Sequence, residues 1–222
     1  MISKALIFDS STIITLALNN MINILEPLKK SFNGEFLITP YVKKEIIDNP
    51  LKEKRFELEA LIISNLVEKG IIEVSFPKEL EKETKKALDI ANSMFSADGE
   101  KIKILHEGEA SCFALAKLLN SKNIFIAVDE RTSRILSENP ENLQKLFEKK
   151  LHTKVSMDKS NMSYFSDFNI MRSSELLFIS YKKGLIHLPA NPITVIDALL
   201  YAAKFKGCSI SFEEIEKAKK LA

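Results

Sequence analysis

Cysteine and histidine are scarce in this chain of 222 residues. Cys112 and Cys208 lie far apart and neither belongs to a Cys-x-x-Cys pair, which argues against a disulfide framework or a zinc ribbon and suits a reducing compartment. The three histidines show no metal-ligand spacing, so we expect ordinary surface or hydrogen-bonded side chains. The sequence therefore offers little support for Cys- or His-based metal chemistry.

Long apolar runs and a strong charge of either sign are also missing. No apolar run approaches the roughly 20 residues that span a bilayer, and no secretory signal pattern is present. We therefore expect a cytoplasmic protein with no membrane partner. Lys and Arg number 32 against 30 Asp and Glu, which gives a formal net charge of +2. Any binding to nucleic acid must come from local basic patches.

Several common catalytic signatures are absent as well. The chain has neither a Walker loop nor a Gly-x-Gly-x-x-Gly turn, and no Gly-x-Ser-x-Gly elbow is present. A haloacid-dehalogenase-like phosphatase would need a second Asp two residues after Asp9, where Ser11 stands. These absences disfavour P-loop and dinucleotide-binding proteins, serine hydrolases of that type and this class of phosphatase.

The chain alternates short apolar strands with helical patterns. The strands are predicted at residues 5–8, 36–39, 71–76 and 124–128, with an edge strand near residue 155. The main helices before residue 120 are predicted at 10–30, 41–48, 52–69, 77–96 and 108–119, and Pro27 is expected to kink or divide the first of them. This alternation predicts an α/β fold, a three-layer, doubly wound, mainly parallel sheet with additional helices.

Four carboxylates occupy positions that face a core or the end of a strand. Asp9 and Asp129 each follow an apolar strand, and the carboxyl ends of parallel strands are where ligands collect in such folds. Glu45 borders the apolar face of its helix, and Glu109 opens a helix on the side of Cys112. Each acid alone is explained by helix capping or by an ion pair. Taken together, the four favour a shared acidic pocket.

A carboxylate cluster without Cys or His ligands selects hard divalent cations. Mg²⁺ and Mn²⁺ prefer oxygen ligands, keep several waters and bind substrate phosphates. Such an ion relieves the repulsion between the acids and activates water for phosphodiester hydrolysis. The residue types therefore indicate metal-dependent phosphoryl chemistry.

Four segments in this order resemble the motifs of the PIN-domain family of metal-dependent nucleases. They are residues 8–13 (FDSSTI), 40–46 (PYVKKEI), 108–116 (GEASCFALA) and 127–131 (AVDER). The resemblance covers residues 1–160, which would form a PIN-like catalytic domain with a helical elaboration near 51–105. Residues 161–222 are similar to the helical C-terminal extension of one prokaryotic, toxin-like branch, packed on the same domain.

The resemblance implies an endoribonuclease that uses Mg²⁺ or Mn²⁺, with RNA as substrate. It also implies a small antitoxin protein or a second copy of the chain as partners. The metal ligands or water-orienting carboxylates would be Asp9, Glu45, Glu109 and Asp129. The supporting residues would be Ser10, Ser11 and Glu130.

The alternative is a PIN-like module that binds RNA or protein without cutting. Short basic clusters at residues 52–55, 149–150 and 182–183 could contact phosphates, but they also fit solvated helix faces. The acids discriminate better, because a pure RNA binder has no need of clustered carboxylates that would repel the RNA backbone without a metal.

Overall fold

A computed structural model describes residues 2–221 and contains a five-stranded sheet. All neighbouring strands in this sheet run parallel. The strands are β1 (Lys4–Phe8), β2 (Glu35–Ile38), β3 (Glu73–Val74), β6 (Asn123–Ala127) and β8 (Asn169–Met171). Their order across the sheet is β3-β2-β1-β6-β8. Helices flank the sheet, which confirms the predicted α/β class and is consistent with three layers.

The helices account for most of the remaining chain. Those before β6 are α1 (Ser10–Leu18), α2 (Leu25–Phe32), α3 (Pro40–Lys43), α4 (Glu57–Glu68), α5 (Leu80–Ala91) and α6 (Glu107–Leu119). Those after β6 are α7 (Arg131–Glu138), α8 (Pro140–Leu151), α9 (Ser173–Lys182), α10 (Pro192–Phe205) and α11 (Phe212–Lys219). No helix within residues 2–221 is long and apolar enough to cross a membrane.

The first predicted helix is interrupted, but not at Pro27. α1 ends at Leu18, and Asn20 adopts a left-handed φ of 55°, which breaks the helical path. Pro27 lies inside the first turn of α2, where its missing N–H removes no helical hydrogen bond. The prediction that Pro27 kinks or divides the helix was therefore wrong.

A second sheet interrupts the region where the sequence predicted one long helix over 77–96. α5 ends at Ala91, and the antiparallel strands β4 (Phe95–Ala97), β5 (Glu100–Lys101) and β7 (Val155–Met157) follow in the order β5-β4-β7. The Asn92 side chain accepts hydrogen bonds from the backbone N–H groups of Ile104 and Leu105, at 2.7 and 2.9 Å. This long-range anchor ends α5 and fixes the segment that leads into α6.

Residues 161–222 supply the edge strand β8 as well as three helices. Arg172 precedes α9, pairs with Glu175 and Glu214, and donates to the carbonyl of Ser209 at 3.1 Å. A capping box at Ser211 begins α11. These contacts hold α9 and α11 next to the edge strand β8, which pairs with β6.

Candidate functional site

The end of β1 delivers Asp9 to a cleft at the carboxyl edge of the sheet. Asp9 caps α1 by accepting hydrogen bonds from the backbone N–H and the hydroxyl of Ser11, both on its Oδ2 atom. Its side chain is buried, with the residue only 2% exposed, yet Oδ1 has no hydrogen-bond partner. A buried, unpartnered carboxylate oxygen is unfavourable without a further ligand.

Glu45 reaches the same cleft from the π-helical turn that follows α3. Thr39 caps α3 and Pro40 occupies its first position, and the chain then continues as a π-helical turn over Lys44–Asp48. A methyl group added to Gly108 would lie 2.7 Å from Oε1 of Glu45. Gly108 therefore leaves the space at the start of α6 that the Glu45 carboxylate occupies.

Glu109 lies on the first turn of α6 and has two hydrogen-bond partners. Its Oε2 atom accepts from the backbone N–H of His106 at 3.0 Å, as in a capping box, and its Oε1 atom is bonded to the hydroxyl of Ser133. The capping role that explains a lone Glu at a helix start is therefore present. Glu109 also lines the cleft with Asp9 and Glu45.

Burial and neighbouring charges destabilise the ionised forms of Asp9 and Glu109. Burial, together with the charge of Glu45, raises the pKa of Asp9 to about 6. Burial, followed by the charge of Asp9, raises the pKa of Glu109 to about 7. Burial and the charges of all three acids raise the pKa of the Cys112 thiol. Asp9, Glu45 and Glu109 thus converge on one region, with Cys112 beside it.

The cleft has a volume of about 510 Å³ and combines an acidic interior with basic side chains. Lys103, from the segment before α6, and Lys150, from α8, line it together with the acids. Neither lysine forms an ion pair with an acid within 4 Å in the part of the chain that the structure describes. Sequence reasoning considered Lys150 only as part of a short basic cluster and missed Lys103, because no local pattern shows that either meets the acids.

Asp129 does not line this cleft. The residue is fully buried, its Oδ1 accepts from the backbone N–H of Ser173 at 2.7 Å and its Oδ2 from the Ser173 hydroxyl at 2.7 Å. Its carboxylate thus binds the N-terminus of α9, where the helix dipole favours negative charge. The predicted pocket of four acids is therefore not assembled: the structure brings three of them together and directs the fourth to α9.

The residues expected to support the site surround it. Ser10, Ser11 and Glu130 all line the cleft. The hydroxyl of Ser11 also accepts the backbone N–H of Asp129 at 3.0 Å, so it joins the ends of β1 and β6. Glu130 adds a fourth carboxylate to the lining, and its charge raises the pKa of Glu109 further, after burial and Asp9.

The acids do not form a ready-made metal cage. Among residues 2–221, no group of three or more His, Cys, Asp or Glu side chains is placed closely enough to hold a metal ion. Comparisons with protein-family models, curated proteins and solved structures find no match to this chain. The geometry and charge of the cleft are therefore the indications of function in this chain.

Proposed function

We propose that this protein is an endoribonuclease of PIN-like fold that hydrolyses RNA phosphodiester bonds with Mg²⁺ or Mn²⁺. The observation that carries the proposal is the unpartnered, buried Oδ1 atom of Asp9 in a cleft shared with Glu45 and Glu109. Capping of α1 accounts for Oδ2 but leaves Oδ1 unexplained. A cation bound at this atom would compensate its burial.

The carboxylate donors are of the type that a hard divalent cation prefers, and they must move closer together to hold one. Asp9, Glu45 and Glu109 would hold it, with Glu130 as an additional acid, because all four offer carboxylate oxygens to one cleft. Glu45 is exposed, so its carboxylate can change rotamer as an ion enters. A bound Mg²⁺ or Mn²⁺ would polarise water and neutralise phosphate charge.

The side chains around the acids have complementary tasks. Ser11 holds Oδ2 of Asp9, which leaves Oδ1 directed away from that bond. Lys103 and Lys150 would contact the non-bridging oxygens of the phosphate, since their charges are not paired with the acids. Asp129 would act indirectly, by fixing the end of β6 against α9. An acidic interior flanked by lysines suits a phosphodiester that is bridged by a cation.

The second candidate is a PIN-like module that binds RNA or protein without cleavage. It is favoured by the capping role of Glu109 and by the engagement of Asp129 with Ser173. Such a module would bind RNA equally well with and without divalent cations. An antitoxin partner and a homodimer stay predictions from the resemblance.

The deciding experiment incubates the purified chain with RNA and Mn²⁺ or Mg²⁺, with EDTA as one control. We expect cleavage that EDTA abolishes and that Asp9→Asn and Glu109→Gln reduce. Glu213→Gln is the matched control, because Glu213 is exposed on α11 and does not line the acidic cleft. Cleavage that persists in EDTA or in both site variants would refute the proposal.

A further inference from the structure

A basic groove lies between α7 and α8, beside the acidic cleft. It has a volume of about 450 Å³, and its lining includes Arg131, Arg134, Lys145 and Lys149. Glu138 is the one carboxylate among the described residues that line it. The groove is therefore strongly positive, although the whole chain has a formal net charge of only +2.

Most of the basic side chains in the groove form no ion pair among the described residues. Arg134 pairs with Glu138 at 3.4 Å, while its Nε atom is buried without a hydrogen-bond partner. Arg131, Lys145 and Lys149 form no ion pair within 4 Å inside residues 2–221. Lys145 also interacts with Glu141, one turn before it on α8. A lining with four basic side chains and one acid suits an anionic ligand, and the planar arginine fork suits phosphate oxygens.

The groove and the acidic cleft are built from adjacent residues of the same segments. Glu130 and Thr132 line the cleft, whereas Arg131 and Arg134 line the groove. On α8, Lys150 lines the cleft and its neighbour Lys149 lines the groove. Successive residues of a helix point about 100° apart, so the groove opens on a neighbouring face of α7 and α8, and one RNA strand must pass around these helices to reach both.

We propose that the α7–α8 groove holds RNA phosphates on one side of the bond that is cut. This inference rests on the proposed function and adds a binding subsite outside the acidic cleft. Lys145 and Lys149 are one helical turn apart on α8 and would contact successive parts of one strand. The groove serves binding and not the chemical step, because its lining includes none of the clustered acids.

The test compares the wild type with the double variant Lys145→Glu/Lys149→Glu on RNAs of 4 and 20 nucleotides. For the longer RNA we expect KM to rise about tenfold or more with kcat unchanged, because phosphate contacts are lost. For the short RNA, which fills only the cleft, both constants should stay near those of the wild type. The salt dependence of binding to the long RNA should weaken by about one logarithmic slope unit per lysine.

The matched control is Lys69→Glu/Lys122→Glu, which makes the same change in net charge. Lys69 precedes β3 and Lys122 precedes β6, so both exposed lysines lie at the amino edge of the sheet, opposite the cleft. Charge lost there should leave KM for the long RNA almost unaltered. Equal losses in the two double variants would show a general charge effect and overturn the groove assignment.

A direct binding measurement separates this inference from the proposed function. Fluorescence anisotropy in EDTA follows binding of the 20-nucleotide RNA without cleavage. If the wild type binds but never cleaves, the proposed function fails, while weaker binding by the groove variant still supports the groove. Unchanged binding by that variant overturns the inference, as does equally tight, salt-sensitive binding of polyglutamate by the wild type.

Discussion

Asp9 and Asp129 occupy similar positions at the ends of two neighbouring parallel strands, but their environments differ. Both are buried, and each is followed by a helix within two residues. Asp9 keeps one oxygen without a partner beside two other acids, whereas both oxygens of Asp129 are bonded to Ser173. The comparison shows that what covers a strand end decides whether its carboxylate is available to a ligand.

The largest expected effect is the loss of activity when Asp9 is replaced. Asp9→Asn should lower metal-dependent RNA cleavage by at least about 100-fold, because it removes the carboxylate charge that faces the cation. Initial rates at saturating Mn²⁺ would measure this loss. Asp167→Asn, at an exposed turn before β8 and outside the acidic cleft, is the control. Cleavage by Asp9→Asn at the rate of the control would contradict the assignment.

Asp129→Asn should lower the stability of the fold more than it changes the response to metal ions. An amide offers one acceptor where the carboxylate offers two, so a donor of Ser173 loses its charged partner. The free energy of unfolding should fall by about 1–3 kcal/mol. Urea denaturation without divalent cations would measure it. A variant with wild-type stability would show that the contact with α9 contributes little.

The stability of the cation-free protein should depend on pH through Asp9 and Glu109. Folding raises the pKa of Asp9 from 3.8 to about 6 and that of Glu109 from 4.5 to about 7. The folded chain therefore retains protons that the unfolded chain has already released, so these groups make the cation-free fold less stable as pH rises through this window. Asp9→Asn removes one of the two groups whose pKa is raised on folding. The cation-free variant should therefore be more stable than the wild type at pH 8.

Added Mn²⁺ or Mg²⁺ should accordingly stabilise the wild type more at pH 8 than at pH 5. At 100 times the Kd, the gain at pH 8 should be about 2.7 kcal/mol. At pH 5 the cation must displace protons from Asp9 and Glu109, so the gain should be smaller. Thermal melting with and without the cation at the two pH values measures the difference. Equal gains at both pH values would argue against these carboxyls as ligands.

The smallest expected effect comes from filling the space at Gly108. In Gly108→Ala the added methyl group would lie 2.7 Å from the Glu45 carboxylate, so that exposed side chain must move. We expect about a tenfold loss of cleavage with little change in melting temperature, since only the end of a flexible side chain is displaced. Unchanged cleavage would mean that Glu45 is not needed where the structure places it.

The acidic cleft could be predicted in part. The strand β1 followed by Asp9, the capped helix that carries Glu45 and the helix that begins near Glu109 all follow from local patterns of apolar residues and caps. The direction of the Asp129 side chain could not be predicted, because Ser173 lies 44 residues away in the sequence. The position of Lys103 near Lys150 could not be predicted either, because it depends on how α8 packs against the segment that precedes α6.

The second sheet was missed for the same kind of reason. Its strands have only two or three residues each, too few for a periodic pattern to be distinguished from the end of a helix. The strand near residue 155 is present, but it pairs with β4 and not with the main sheet. Asn92 provides the contact that ends α5, by bonding to a backbone twelve residues further on.

The sequence by itself determined the α/β class, the parallel core strands and three acids of the cleft, because periodicity, burial and capping act over a few neighbouring residues. Only the tertiary structure decided that Asp129 binds α9 and that Lys103 and Lys150 border the acids. These arrangements arise where distant segments pack at one edge of the sheet. Their energies depend on burial and on unpaired charge, which no local pattern of residues records.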